Sequence, residues 1–306
     1  MRRSRRSLLS RRRNFIQGLS TVLLNCYVLR GAGGFCAPVL NCWACPAANT
    51  SCPIGGLQYA SGQARLSLAG GASLLSVIPY YLLGTLLLFS ATLGRFMCGW
   101  LCPFGWLQDL VGRLQHYKLH LPAWTGHLRY VFLIGLVLVV PFYTTQPWFS
   151  KLCPQGALEG GLLQPLVDPG LRPLMGTLWY LKEAMLALWL VAFAFIRRPF
   201  CRLMCPLGAI FSLFYGISLL QITQNPYQCT DCGWCQRACP AGLDPRKQAG
   251  SHLCISCLEC QDCPSGAVWA EPIWRKRGGL PPPAPSPGRR GGVEAPPGTP
   301  GEPKGV

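Results

Sequence analysis

Eight cysteines crowd into residues 229–263, in two runs that read CTDCGWCQRACP and CISCLECQDCP. Cys229, Cys232 and Cys235 fall at three-residue steps with Cys239 and Pro240 behind them; Cys254, Cys257, Cys260 and Cys263 keep the three-residue step throughout. Thiolates spaced in this way are soft metal ligands, and the choice lies between iron-sulfur clusters and zinc. Three cysteines at successive short steps followed by Cys-Pro are unusual in zinc fingers, which puts iron and sulfide first and zinc second. The chemistry would be one-electron transfer.

The first run is similar, residue for residue, to the bacterial ferredoxin pattern C-x2-C-x2-C-x3-C-P, in which the fourth cysteine ligates the other cluster. That resemblance implies one 4Fe-4S cluster on Cys229, Cys232, Cys235 and Cys263, and a second on Cys254, Cys257, Cys260 and Cys239. The second run departs from the pattern in having two residues, not three, between Cys260 and Cys263. A segment as small as 224–270 is natural for a small α+β ferredoxin-like domain, because clusters stand in for the missing apolar core.

Two further thiol pairs lie upstream. FMCGWLCPFGWL at 96–107 recurs as PFCRLMCPLGAI at 199–210, sharing Cys-x3-Cys-Pro-x-Gly, and CPIGGL at Cys52 recurs as CPQGAL at Cys153. Two repeats in the same orientation, related by a two-fold axis along the membrane normal, would gather Cys98, Cys102, Cys201 and Cys205 at one face. Within each pair the spacing puts both thiols on one side of a helical turn, and proline after the second suits the first position of a new helix. Four thiolates could hold a cluster or structural zinc, or the cysteines could simply be small buried apolar residues. At the opposite face Cys36, Cys42, Cys45, Cys52 and Cys153 form a looser set, open to a cluster, to disulfides or a redox-active dithiol, and to burial alone.

Elements that cross a membrane must position these sets. The chain of 306 residues is 50% hydrophobic and 13% charged, with a net charge of +17. Its mean hydropathy is positive, at +0.27. Apolar runs at about 72–93, 130–149 and 174–196 are long enough to span, and a weaker one at 14–29 follows an arginine cluster. Arg12, Arg13, Asn14, Phe15 and Ile16 loosely resemble a twin-arginine signal, but no small-x-small cleavage site follows, so an uncleaved first helix is expected. Lysines and arginines then place residues 1–13, the connection after the second span and the stretch after the fourth on the cytoplasmic side. The expected fold is mainly α: a four-helix transmembrane bundle with an internal two-fold repeat, a Cys-rich core over 14–222, an interfacial segment at 207–220, and the ferredoxin-type domain after it. The charge is explained by topology and a basic tail, so no nucleic-acid partner is expected. The tail, 271–306, is rich in proline and glycine and reads as disordered.

The combination of inner Cys-x3-Cys-Pro motifs with a C-terminal pair of ferredoxin runs, over roughly residues 10–270, resembles the polyferredoxin-like membrane proteins related to NapH, with NosR and CcoG sharing the core. The outer NCWACPAANTSCPIGGLQ is also similar to a subgroup of 4Fe-4S binding membrane proteins. What the resemblance implies is a multi-pass protein of a bacterial-type inner membrane, with both termini and the ferredoxin domain cytoplasmic. It would pass electrons between the quinone pool or a cytoplasmic donor and a partner oxidoreductase, as a quinol dehydrogenase-type subunit. A redox assembly factor or sensor for a metalloenzyme, as the CcoG likeness allows, is the alternative.

Lys182 and Glu183 lie inside the fourth span, where charge is costly; they could contact a quinone, or Lys182 could reach the interface near the helix end. His116 and His120, four apart in a basic connection, read as a solvated face rather than haem ligands. Trp100, Trp106, Trp148 and Trp179 stand near helix ends, as aromatic belts do. Rossmann glycines, a P-loop and a Ser-His-Asp pattern are all missing, so self-contained hydride, phosphoryl or acyl transfer is not expected.

Overall fold

The computed structural model describes residues 8–26, 38–42, 52–71, 73–115, 118–119, 121–248 and 250–276. Four helices begin by one local rule. Cys52, Cys102, Cys153 and Cys205 each take an extended backbone conformation, and the proline after each occupies the first helical turn. Proline suits that place because its fixed φ is already helical and its missing N–H is not needed there. At the last of the four, the Cys205 Sγ accepts a hydrogen bond from the Gly208 N–H at 3.3 Å.

The helices fall into two similar series. The first contains Leu8–Leu24, Pro53–Ala69, Tyr80–Thr92, Phe96–Trp100 and Pro103–Val111. The second contains Trp124–Thr144, the helix 154–167, Thr177–Phe195, Pro199–Leu203 and Pro206–Leu213. Leu8–Leu24 packs on Pro103–Val111 as Trp124–Thr144 packs on Pro206–Leu213. Each inner helix also crosses to the other series, Pro103–Val111 onto Thr177–Phe195 and Pro206–Leu213 onto Tyr80–Thr92. Phe104 sits at the centre of this core, edge-on to Phe193 at 5.6 Å and Phe200 at 5.0 Å between ring centroids.

Two helices among the described residues, Trp124–Thr144 and Thr177–Phe195, are long and apolar enough to cross a membrane. The expected run at 72–93 is divided: a short turn, Leu74–Val77, precedes Pro79, and only Tyr80–Thr92 continues as helix. Proline 79 has no N–H to donate and stands at the N-terminal boundary. The first helix is described over Leu8–Leu24, so it takes in arginines before position 14, and Arg13, Gln17 and Ser20 share its buried face. Helices Pro53–Ala69 and 154–167 occupy stretches expected to be outer loops. Their glycines and polar residues hide them from a hydropathy reading.

After the bundle, strands β1 (Leu220–Gln224) and β2 (Val268–Pro272) pair antiparallel, with Ile222 opposite Ala270. The cysteine runs lie between them in sequence, and Ile222 and Val268 pack with Cys235 and Cys260. The pairing of Leu220 with Pro272 draws residues 271 and 272 into structure, and a helical turn Ile273–Lys276 follows. Disorder expected from 271 is therefore corrected for 271–276; residues 277–306 lie outside the described residues.

Candidate metal centre

The ferredoxin-like end gathers cysteines that are distant in sequence. Cys239 joins Cys254, Cys257 and Cys260 around one cavity, with Ile222, Leu243 and Ile255 completing the apolar wall. Burial pushes the thiols of Cys239 and Cys254 up to about 11 and that of Cys257 up to about 12. Thiols this reluctant to ionise need a cation to displace their protons, so metal binding and deprotonation are one event. Cys263 does not line that cavity; it packs against the cluster of Cys235 and Cys260 and lies within electrostatic reach of Cys235. The tight turn Glu259–Asp262, entered through Leu258 at φ 65°, accounts for the short step between Cys260 and Cys263. Cys229 and Cys232 lie in the open segment before helix Trp234–Ala238, the former half-buried and the latter exposed.

At the adjoining end of the bundle, Cys98, Cys102, Cys201 and Cys205 are all buried, and Cys98, Cys102 and Cys205 each feel the charge of others in the set. Gln108 Nε2 donates to Cys201 Sγ at 3.1 Å. Burial raises the Cys102 thiol to about 12 and raises Cys98 and Cys205 also. Among the described residues no three His, Cys, Asp or Glu side chains converge on a point suited to a single metal ion.

Arginines fill the seam between bundle and ferredoxin end. Arg13 pairs with Asp109 at 2.9 Å and Glu259 at 2.8 Å. Arg198 grips Asp109 through Nε at 2.7 Å and donates from Nη1 to the Cys98 carbonyl at 3.0 Å. Arg95 and Arg129 donate to the His252 carbonyl at 2.8 and 3.3 Å. Arg197 donates to the Cys239 carbonyl at 2.6 Å, and Trp100 Nε1 to the Ser256 carbonyl at 3.2 Å. Gly99, between the two inner thiols, is pressed against Ile255 and Cys257. Arg95 and Arg129 are 2% and 0% exposed, and no carboxylate among the described residues pairs with either. Buried cations without carboxylates call for another anion. Thiolate-ligated 4Fe-4S clusters carry net negative charge, so the residues present fit that group.

These arginines are the site residues that composition alone conceals: as basic residues near helix ends they read as topogenic charges. One signal was there to find. Arg95 and Arg198 recur at the same 103-residue offset as Cys98 and Cys201.

The outer set is partly visible. Cys42, Cys52 and Cys153 line one cavity with Asn41, Ser150 and Gln155. Glu159, 5% exposed, accepts hydrogen bonds there from the Cys42 N–H and from Gln155 Nε2. Burial pushes its carboxyl up to about 7, against the pull of those two donors. Cys36, Cys45, His116 and His120 lie outside the described residues. Lys182 is half-buried; Glu183 turns its carboxylate onto Gly161 of helix 154–167, beside the bond from Trp179 Nε1 to the Gly161 carbonyl at 3.0 Å.

Cysteine sets among buried arginines suit iron-sulfur groups, and comparison of sequences shows the class. The family described as "4Fe-4S binding domain" matches residues 76–122, 125–166 and 183–221. Those segments contain Cys98, Cys102, Cys153, Cys201 and Cys205 and stop short of the ferredoxin runs. The uncharacterized protein MJ0750 of Methanocaldococcus jannaschii is 32% identical over 196 residues, 60% of this chain and 75% of that one. The chain belongs to this 4Fe-4S binding family. YccM of Escherichia coli (strain K12), provisionally named an electron transport protein, is 30% identical over 230 residues, 69% of this chain and 60% of its own. The regulatory protein NosR of Pseudomonas aeruginosa is 29% identical over 170 residues, 54% of this chain and 23% of its own. No solved structure matches the chain.

Proposed function

We propose that the protein is a membrane-embedded electron carrier, with two 4Fe-4S clusters in the ferredoxin-like domain and a third iron-sulfur group on Cys98, Cys102, Cys201 and Cys205. Iron-sulfur clusters, when bound, supply one-electron redox chemistry. The observation that carries the reading is the contact of Gly99 with Ile255 and Cys257, which sets the ferredoxin cysteines directly on the turn between the inner thiols. Cys239, Cys254, Cys257 and Cys260 would hold the cluster nearest the bundle, and Cys229, Cys232, Cys235 and Cys263 the outer one. Ile222, Leu243 and Ile255 give the nearer site an apolar wall.

Membrane insertion is supported by the two apolar helices, whose Val131, Ile134, Leu188 and Val191 face outward. Leu8–Leu24 and Tyr80–Thr92 would complete four spans, with both ends and the ferredoxin domain on the cytoplasmic side of an inner membrane. The donor or acceptor within the bilayer would be the quinone pool, approached through Lys182 and Glu183, and the final partner another oxidoreductase. The relative YccM, named for electron transport, supports the reading. Addition of a quinol analogue to anaerobic membranes containing the protein should bleach its iron-sulfur absorbance. Bleaching by dithionite but not by quinol would remove the quinone link.

A redox assembly role is a second reading, favoured by Glu159. A buried carboxyl beside Cys42 and Cys153 suits thiols that exchange protons with electrons better than it suits an anionic cluster. Differential alkylation of Cys42, Cys52 and Cys153 before and after mild reduction tests it; a pattern that does not change with reduction contradicts it.

A further inference from the structure

Arg95 and Arg198 occupy equivalent positions of the two repeats, and each reaches across to the other one. The Arg198 guanidinium lies against Gly105 and the Arg95 guanidinium against Gly208, glycines at the same offset. The symmetry breaks at the acid. Arg198 is neutralised by Asp109. The position that repeats Asp109 is Ser212, whose hydroxyl is engaged by Tyr130 at 2.7 Å and by the Ala209 carbonyl at 2.6 Å.

Arg95 is thus a buried cation with no carboxylate among the described residues, and its Nε has no hydrogen-bond partner there. Its guanidinium lies within electrostatic reach of Cys98 on one side and of Cys254 on the other, and donates to the His252 carbonyl. Arg129 adds a second guanidinium to the same carbonyl. Such a charge is costly unless something anionic offsets it, and thiolate-ligated iron-sulfur groups on the thiol sets to either side would supply that charge.

We propose that Arg95 is an electrostatic positioning residue, set between the inner cysteines and the Cys254 loop, that favours reduction of the iron-sulfur groups on both sides. The inference rests on the cluster reading above. Each reduction adds one negative charge, and a fixed positive charge close by in a low-dielectric seam stabilises the product. Arg198, already paired, contributes less. The substitution of serine for aspartate at the repeated position therefore leaves one guanidinium free to act on the electron's path.

The test is a redox titration of the purified full chain, followed by electron paramagnetic resonance, with iron and sulfide measured on the same samples. The variants are Arg95→Gln, Arg95→Lys and Ser212→Asp, the last restoring the missing carboxylate while leaving Arg95 in place. Arg95→Gln and Ser212→Asp should each make at least one centre about tenfold harder to reduce, about 59 mV for one electron; Arg95→Lys should stay close to wild type. Unchanged midpoints with iron retained overturn the proposal. If Arg95→Gln loses iron, Ser212→Asp decides; loss of iron from both also overturns it, because the residue then builds the site and does not tune it. Wild-type protein holding only two clusters' worth of iron defeats the inner-cluster reading separately, leaving Arg95 to be judged on the Cys254 centre. Wild type without iron defeats both.

Discussion

Gly99 and Ile255 meet so closely that a Cβ on Gly99 would stand 2.5 Å from the Ile255 carbonyl oxygen and 3.5 Å from the Cys257 Cα. Only a residue without a side chain lets the ferredoxin loop settle on the inner thiol turn. Gly99→Val should therefore lift the loop, keep the ferredoxin iron, and slow electron exchange between the two ends by tenfold or more. Rapid-mixing absorbance after reduction of the ferredoxin centres measures this, and an unchanged rate would show that the contact is not the route.

Asp109 joins three elements by taking both Arg13 and Arg198. Burial pushes its carboxyl up, but Arg198 and Arg13 outweigh burial and hold it below the usual carboxylate range. A depressed value of this kind stabilises the fold fully above the unfolded pKa of about 3.9 and loses that contribution as pH falls through the folded value. Asp109→Asn should cost about 3–5 kcal/mol near neutral pH, as removal of one member of a buried ion pair does. Its deficit against wild type should narrow below about pH 4. Thermal unfolding in detergent across that range gives both numbers.

Cys239 and Cys263 cross between the two ferredoxin runs, Cys239 towards Cys254, Cys257 and Cys260, and Cys263 towards Cys235. Cys239→Ser and Cys263→Ser should perturb different centres, each leaving the other's resonance signal intact. Identical spectra from the two variants would refute the crossed assignment.

Phe104 is fully buried at the meeting point of the repeats. Phe104→Ala opens a cavity there and should lower stability by about 3–5 kcal/mol. The same change would loosen helix Pro103–Val111, so iron loss from the inner set on mild heating should accompany it.

Much of this was legible in the residues. Cys-Pro announces each helix start because proline's geometry is local, and the cysteine spacings needed no tertiary context. The repeat pointed to Cys98, Cys102, Cys201 and Cys205 as a set; all four are buried, and Cys98, Cys102 and Cys205 share one core. Helices Pro53–Ala69 and 154–167 escaped because glycine and polar residues dilute their hydropathy, while packing against Trp124–Thr144 and Thr177–Phe195 holds them. Arg13 illustrates the deeper limit. Its charge marks it as solvated until Asp109, 96 positions away, and Glu259, still further, are brought to it by the fold.

The account turns on whether Cys98, Cys102, Cys201 and Cys205 hold an iron-sulfur group. Iron and acid-labile sulfide per chain, measured on anaerobically purified wild type and on a variant with all four changed to serine, test this directly. The account predicts clearly more than the roughly eight irons of two ferredoxin clusters in wild type, and a fall of about four in the variant. About eight in both proteins would contradict it.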